Sequence, residues 1–88
     1  MTIFLNGRKM LTREAAHAHL KQKLRFPDYY GKNLDALHDL LTVGYHGDII
    51  LKHADAMTGA LGEYGETMLQ VFYDCARESE NFTFCEQD

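Results

Sequence analysis

Residues 26–42 read FPDYYGKNLDALHDLLT, and no other stretch of the chain constrains the fold as strongly. An aromatic, glycine-containing loop leads into a helix, because the side-chain oxygen of Asn33 can accept hydrogen bonds from the free amides of a first turn. Leu34, Leu37 and Leu41 then recur at helical spacing and predict one buried face. The stretch therefore predicts a helix that begins at Asn33 and packs on a core.

A second face of this helix carries acidic side chains. Asp35 and Asp39 are four residues apart, with His38 and Thr42 at matching positions. Carboxylates at this spacing are neighbours on a helix and repel each other, at a cost of about 0.2–0.5 kcal/mol. A helix that only had to fold would more often carry Lys or Arg at one of the two positions. The acidic face therefore predicts a surface that meets a cationic partner.

Two aromatic residues, Tyr29 and Tyr30, precede the helix. One interpretation is that one or both rings cap a small core. The other is that at least one ring points outward to a partner, since tyrosine offers a large contact area with few rotatable bonds and is frequent at binding hot spots. The sequence leaves both interpretations open.

The 88 residues are enough for one core, and we predict a single domain over residues 1–88. No apolar run is long enough to span a membrane, and the N-terminus lacks a basic-then-apolar signal pattern. Cys75 and Cys85 match neither a zinc-binding spacing nor a disulfide framework, so both are predicted to be reduced cysteines of the core. We therefore expect a cytoplasmic monomer without a cofactor.

The net charge of −4 is unevenly distributed along the chain. Residues 1–32 contain seven Lys and Arg against two acids, whereas residues 33–88 contain two against eleven. One interpretation is that the fold mixes these charges in space. The other is an acidic binding face assembled from the second helix onward. Such a face would disfavour nucleic acid, whose phosphates need Lys and Arg, and would attract a basic protein.

Apolar runs and turn residues divide the rest of the chain into helices and strands. Thr12 can cap a first helix, and Pro27 stops it because the residue before a proline avoids helical geometry. Gly44 and Gly47 mark the break after the second helix. The predicted strands cover residues 2–5, 49–51 and 82–85, and the predicted helices cover about residues 13–25, 33–43, 53–62 and 65–78.

The order of these elements is β-α-α-β-α-α-β. Strands joined by helical crossovers are expected to run parallel, with right-handed connections. The strands are continuous apolar runs, which is typical of a parallel sheet covered on both faces. The predicted architecture is therefore an α/β domain with a three-stranded parallel sheet flanked by about four helices.

The sequence offers few candidates for catalysis or metal binding. The five histidines show no metal-ligand spacing. His17 and His19 are two residues apart on a helix, so they face different directions and are predicted to be solvated surface residues. Cys75 and Cys85 lack the exposed, electropositive setting of a nucleophilic thiolate. The carboxylates of the acidic face could act as an acid–base pair, but no pocket is predicted around them. We therefore predict no enzyme activity.

The chain resembles the barstar family, intracellular protein inhibitors of barnase-type ribonucleases. The residues that carry the resemblance are Pro27, Tyr29, Tyr30, Gly31, Asn33, Leu34, Asp35, Ala36, Leu37, Asp39, Leu41 and Thr42. Weaker matches follow in register at residues 5–7, 50–51 and 69–72, with a short deletion between the last two. The resemblance implies the barstar-like fold of three parallel strands and four helices.

The resemblance also implies a mechanism, in which the second helix and its preceding loop plug the active site of a ribonuclease. Asp39 would be the main plug, its carboxylate replacing an RNA phosphate among the Arg, Lys and His groups of the enzyme. Asp35 would be a second acidic contact, and Tyr29 would pack on the cleft. On the last helix, Asp74 would be an acidic contact and Glu78 a peripheral one. The remaining predicted partner-binding residues are Tyr30, Gly31, Asn33, His38, Thr42 and Tyr45.

The chain departs from the family pattern around the acidic helix. The founding member of the family has tryptophan at the positions of His38 and Gly44, and Tyr45 is a partial replacement for the second ring. That member has acids where this chain has Lys32 and His46. These departures indicate a divergent cognate ribonuclease, or a barstar-like domain with a shifted task. His38 also suggests pH-dependent binding, because an imidazole beside the main plug can gain a charge near neutral pH.

The leading prediction is an intracellular inhibitor of a barnase-type, guanyl-specific ribonuclease that protects the cell producing it. The predicted partner is a basic, extracellular-type ribonuclease, with no direct binding of nucleic acid or membrane. The alternative is a non-inhibitory protein-interaction module that uses the same acidic face to bind another basic protein.

Overall fold

The computed structural model describes residues 1–43 and 45–87. The predicted break at Gly44 and the replacement of tryptophan there lie outside the described residues, as does Asp88. The predicted order β-α-α-β-α-α-β is confirmed. The elements are β1 (Thr2–Asn6), a 3₁₀ turn (Gly7–Lys9), α1 (Arg13–Leu24), α2 (Leu34–Val43), β2 (Gly47–Lys52), α3 (Ala54–Leu61), α4 (Glu63–Glu78) and β3 (Phe82–Gln87).

The three strands form one parallel sheet in the order β1-β2-β3. The pairing register places Phe4 opposite Ile50 and Ile50 opposite Cys85, so these three residues form one row across the sheet. The predicted α/β fold, with a three-stranded parallel sheet and four helices, is confirmed. None of the described helices is long and apolar enough to cross a membrane.

The sheet is buried on one face and largely open on the other. Leu5 and Leu51 are fully buried on the inner face, whereas Phe4 on the outer face is 46% exposed and Cys85 in the same row is exposed. The prediction that both faces are covered is therefore wrong, as is the prediction that Cys85 belongs to the core. An apolar run shows that a strand is apolar, but it does not show which of its faces the helices cover.

Two side-chain caps fix where the first two helices begin. The Thr12 hydroxyl oxygen accepts a hydrogen bond from the Ala15 amide at 3.0 Å, and the Asn33 Oδ1 accepts one from the Ala36 amide at 2.7 Å. Both predicted caps are confirmed. Helix α1 ends when Arg25 adopts the left-handed conformation with φ of 57°, two residues before the proline.

The core lies between the inner face of the sheet and the helices. Helix α4 contributes Met68, Phe72 and Cys75, which are completely buried. The Phe72 ring stacks on Phe84 of β3, with 4.7 Å between centroids and 12° between planes. Helix α2 packs against α4. Leu37 and Leu41 of α2 are completely buried. The contact with α4 therefore fixes which way the acidic face of α2 points.

Two glycines permit close approaches of the backbone that a side chain would block. A Cβ at Gly7 would lie 2.0 Å from the carbonyl oxygen of His53, so this position requires glycine. Gly47 has a φ of +131°, and a Cβ there would lie 2.6 Å from the carbonyl oxygen of Met1. Glycine adopts such a φ without steric cost. Glycine at these two positions therefore lets the backbone pass close to the neighbouring segments at His53 and Met1.

Candidate functional site

The two carboxylates of helix α2 are exposed to solvent. Asp35 in the first turn and Asp39 in the middle of the helix lie on the outer side, while Leu37 and Leu41 are completely buried. The described residues hold no Lys or Arg paired with either carboxylate. Both negative charges are therefore available to a partner, on a helix whose opposite side is fixed in the core.

His38 and Thr42 complete this face of the helix. The Nδ1 atom of His38 lies 4.0 Å from Oδ1 of Asp39. The Thr42 hydroxyl donates to the carbonyl oxygens of His38 at 2.9 Å and of Asp39 at 3.2 Å, so its hydrogen is engaged within the helix. Towards a partner, Thr42 can therefore act as an acceptor only. The proposed pH dependence of binding through His38 stays a prediction.

The loop before the helix points its two tyrosines in opposite directions. Tyr29 is 81% exposed, whereas Tyr30 is 4% exposed and its ring packs against Phe26 with 4.8 Å between centroids. Both sequence interpretations therefore hold, one for each ring. The Tyr30 ring can reach a partner only by leaving the core. In this structure the ring holds the loop in place, and its predicted contact with a partner stays a prediction.

Asn33 and Gly31 shape the end of this loop. The Asn33 side chain uses both of its polar atoms locally, since Oδ1 caps the helix and Nδ2 donates to the carbonyl oxygen of Gly31 at 3.3 Å. Gly31 itself is exposed, and a Cβ there would lie 3.3 Å from that of Ala36. The two residues thus prearrange the backbone that leads from Tyr29 to the acidic helix.

A buried histidine anchors this loop from below. The Nδ1 of His17 lies 2.6 Å from the Tyr30 hydroxyl, and its Nε2 lies 2.6 Å from the Tyr64 hydroxyl. A neutral imidazole has one donor and one acceptor nitrogen, so one tyrosine donates to the ring and the other accepts from it. His17 is only 1% exposed, which makes the prediction of a solvated surface residue wrong. It instead joins α1, the loop and α4.

The prediction of a surface position is also wrong for His19, which is buried. Its Nε2 accepts a hydrogen bond from the Asn6 amide at 3.0 Å, at the end of β1. Burial lowers the pKa of His19, and the positive charges of Lys23 and Lys9 lower it further. Two residues of separation do place His17 and His19 in different directions, but the fold covers both.

Stability is expected to fall when the pH drops below about 6.5, the ordinary pKa of histidine. Burial lowers the pKa of His17 in the folded state, and the charge of Lys32 adds to this effect. As the pH falls through about 6.5, the unfolded chain therefore gains protons that the folded chain does not, which lowers the free energy of unfolding. Urea unfolding at pH values of about 7.5 and 5.5 measures this loss.

His17→Gln removes the contribution of His17 and leaves that of His19, because glutamine keeps a donor and an acceptor but does not titrate. Its pH dependence should be smaller than that of the wild type, while His46→Gln, at an exposed position, should retain the full dependence. An equal slope in all three proteins would contradict the role assigned to His17.

The two acidic residues of α4 that were predicted to contact a partner differ in whether a cation of the chain pairs with them. Asp74 accepts a hydrogen bond from Gln70 Nε2 at 2.8 Å and forms an ion pair with Arg77. Glu78 is exposed. The thiol of the neighbouring Cys75 donates to the His38 carbonyl oxygen at 3.9 Å, so this part of α4 runs beside the acidic helix. Asp74 is thus close to the predicted face, but Arg77 compensates its charge.

Tyr45 follows the acidic helix and packs on the sheet. Its ring meets Phe82 edge to face, with 5.8 Å between centroids and 81° between planes. Burial raises the pKa of Tyr45, and the nearby charge of Asp48 raises it further. Tyr29 and Tyr45 line the same apolar groove of about 290 Å³, and Val43 between them is largely exposed. This groove gives the acidic helix an aromatic border on one side.

A cleft on the other side of the loop contains residues that the sequence patterns did not single out. It has a volume of about 380 Å³, and the guanidinium carbon of Arg13, one of its lining residues, lies 4.1 Å from the centroid of the Tyr64 ring. Lys32 and Asp35 line the same cleft. The sequence signals for these cations were the basic composition of residues 1–32 and the presence of Lys32 where the founding family member has an acid.

The described residues contain no group of three or more His, Cys, Asp and Glu that could hold a metal ion. The site that the structure assembles therefore consists of an acidic helix with an aromatic groove on one side and a cationic cleft on the other.

Two comparisons with known proteins concern the chain as a whole. The family model described as Barstar (barnase inhibitor) matches residues 1–86. A protein of Bacillus subtilis (strain 168) named "Putative ribonuclease inhibitor YrdF" is 41% identical over 78 residues, a match that covers 86% of each chain.

Proposed function

Because the chain belongs to the barstar family, we propose that it inhibits a barnase-type, guanyl-specific ribonuclease. The observation that carries this proposal is the pair of exposed carboxylates, Asp35 and Asp39, on a helix whose other face is fixed in the core. Helix α2 and its preceding loop enter the active site of the enzyme and exclude RNA. The protein itself catalyses no reaction.

Phosphate mimicry explains why carboxylates suit this task. A ribonuclease binds the phosphates of RNA with cationic side chains, and a carboxylate accepts the same paired hydrogen bonds from a guanidinium group. Asp39 occupies the central position and Asp35 lies one turn before it. The mutual repulsion of the two carboxylates in the free protein is relieved when cations of the enzyme approach them. The loss of this repulsion on binding thus adds to the stability of the complex.

The rigid support of the helix contributes to affinity. Leu37 and Leu41 hold α2 in the core, and the Asn33 cap fixes its first turn. A surface that is already ordered loses little conformational entropy on binding. Tyr29 adds an exposed ring beside the carboxylates, and its partner Tyr30 keeps the loop in place.

We place this activity in the cytoplasm, with the protein acting as a monomer in a one-to-one complex. Cys75 and Cys85 are both free thiols, which suits a reducing compartment. An inhibitor in this compartment protects the producing cell from a ribonuclease that acts outside it.

Inhibition assays at several salt concentrations test the proposed function. Barnase and the guanyl-specific ribonuclease of the producing organism are titrated with the protein, and RNA cleavage is followed. We expect stoichiometric inhibition of at least one enzyme, and an association rate that falls as salt rises because opposite charges steer the encounter. Full RNA cleavage by both enzymes at a large excess of the protein would refute inhibition.

One observation favours a second function. Arg77 compensates Asp74, and Lys32 borders the acidic helix, so the two cations reduce the net negative charge of this face. A non-inhibitory module that binds another basic protein through Asp35 and Asp39 would tolerate this. Such a protein, recovered by affinity capture and released by Asp39→Ala, together with negative inhibition assays, would support this alternative.

A further inference from the structure

We propose that Arg13 and Lys32, two cations that line one cleft, bind a carboxylate of the partner ribonuclease and thereby determine which ribonuclease is inhibited. The proposal rests on the proposed function, because it requires the face around α2 to be the docking face. The docking face would then carry charges of opposite sign side by side. The carboxylates of Asp35 and Asp39 form the plug, and the cleft that holds Arg13 and Lys32 is called the socket.

The socket is a real concavity next to the plug. Its volume is about 380 Å³, and it lies between the first turn of α1, the docking loop and the first turns of α2 and α4. Asp35 lines it together with the two cations. A partner that contacts Asp35 therefore lies directly over the cleft. Its lining residues are Arg13, Glu14, His17, Lys32, Asn33, Leu34, Asp35 and Tyr64.

Arg13 is held in place by the aromatic network beneath it. Its guanidinium carbon lies 4.1 Å from the centroid of Tyr64, and the Tyr64 hydroxyl is hydrogen-bonded to the buried His17. A guanidinium group stacked on a ring keeps the N–H donors at its edge free. These donors can bind both oxygens of a carboxylate in a paired geometry.

Lys32 lines the same cleft and has an unusual backbone conformation. It adopts the left-handed conformation with φ of 55°, which is unusual for a residue other than glycine. Lys32 and the buried His17 line this cleft together, and the positive charge of Lys32 adds to the lowering of the His17 pKa.

Neither of the two cations forms an ion pair within the described residues. Lys21 forms an ion pair with Asp28 at 3.3 Å, and Arg77 forms one with Asp74. Within residues 1–43 and 45–87, Arg13 and Lys32 form none. Glu14 and Asp35 line the same cleft, but neither is ion-paired with Arg13 or Lys32, so both cations can bind a carboxylate from outside.

Selection between ribonucleases follows from this arrangement. An enzyme with an acidic residue opposite the cleft gains a charge-assisted contact, whereas an enzyme whose rim is entirely basic meets repulsion there. Like charges brought together across an interface suppress the wrong partner. The cleft thus distinguishes enzymes whose active sites are equally complementary to Asp39.

Charge reversal with barnase as the probe tests the first half of the proposal. The variant Arg13→Glu/Lys32→Glu should bind barnase at least about tenfold more tightly than the wild type, since it replaces repulsion by attraction at the rim. The matched control is Arg8→Glu/Lys9→Glu, which changes the net charge equally in the 3₁₀ turn, outside the cleft. Binding kinetics are measured by surface plasmon resonance, and circular dichroism verifies that each variant is folded.

The outcomes separate this proposal from the proposed function. If the cleft variant gains no more affinity than the control, the cleft does not select partners and the proposal fails. If Asp39→Ala weakens binding of the cleft variant to barnase in that same case, the proposed docking face still stands. If Asp39→Ala has no effect on any measurable complex, the docking face itself is wrong.

Selection from a library tests the second half, the recognition of a carboxylate. A displayed library of inactive barnase, with the basic residues that border its active site randomised, is selected separately on the wild type and on the cleft variant. We expect Asp and Glu to be enriched on the wild type but not on Arg13→Glu/Lys32→Glu. The same residues enriched on both proteins would overturn the proposal.

Discussion

Asp39→Ala is expected to accelerate dissociation from the inhibited ribonuclease by a factor of about 30 or more, with a much smaller change in the association rate. Its carboxylate is exposed in the free protein and, in the complex we propose, meets guanidinium and ammonium groups away from water. Removing one partner of such a pair costs about 2–5 kcal/mol or more, a general range for which the barnase–barstar complex is itself a measured example. Each 1.4 kcal/mol corresponds to about a tenfold change.

Two further variants sharpen this test. Asp55→Ala removes an exposed carboxylate from the first turn of α3, away from the docking face, and should leave the dissociation rate unchanged. Asp39→Asn keeps the size of the side chain and removes its charge, so it separates shape from electrostatics. Dissociation rates that are the same for Asp39→Ala and Asp55→Ala would exclude Asp39 as the plug.

Phe72→Ala is expected to lower the free energy of unfolding by about 3–5 kcal/mol. Phe72 is completely buried, and its ring stacks on Phe84 of β3, so truncation leaves a cavity between α4 and the sheet. Domains of this size have a total stability of about 5–15 kcal/mol, and the loss is therefore a large part of the whole. Urea unfolding at neutral pH, followed by circular dichroism, measures it.

Phe4→Ala is the matched control, since it deletes the same atoms on the open face of the sheet. Phe4 is 46% exposed, so only part of its apolar surface is removed from water, and we expect a loss of about 1 kcal/mol. The comparison also tests whether only one face of the sheet is covered by helices. Equal losses for the two variants would mean that the outer face is covered as well as the inner one.

Local signals in the sequence were sufficient to predict the elements of the fold. Thr12 and Asn33 act within three residues of their own positions, and their caps could be predicted from the chemistry of a helix start. The spacing of Leu34, Leu37 and Leu41 predicted the buried face of α2 in the same way. The order of the elements then led to a parallel sheet through the general rules of strand connection.

Contacts between distant residues explain what the sequence did not reveal. His17 pairs with Tyr30 and Tyr64, which are 13 and 47 positions away, and nothing near His17 identifies them. One signal was present, because His17 is spaced three and seven residues from Leu20 and Leu24 and therefore lies on their buried face. The covered side of the sheet depends in the same way on how the helices pack, which the apolar strands do not encode.

In the candidate site too, local features could be predicted from the sequence, whereas features that depend on contacts between distant residues could not. The positions of Asp35 and Asp39 on the outer side of α2 could be predicted because one helix determines both. The directions of Tyr29 and Tyr30 could not, since either ring of an irregular loop can enter the core. The socket of Arg13 and Lys32 joins two separate segments, so only the folded chain brings its cations together.

The opposite directions of Tyr29 and Tyr30 have a consequence for how such an inhibitor can evolve. In the complex we propose, recognition depends on outward residues such as Tyr29 and Lys32, whereas the shape of the loop depends on the inward ring and on His17. A substitution at an outward position changes the choice of target without removing a buried contact. A lineage of these proteins can therefore follow a drifting enzyme by single mutations, without first accumulating stabilising changes elsewhere.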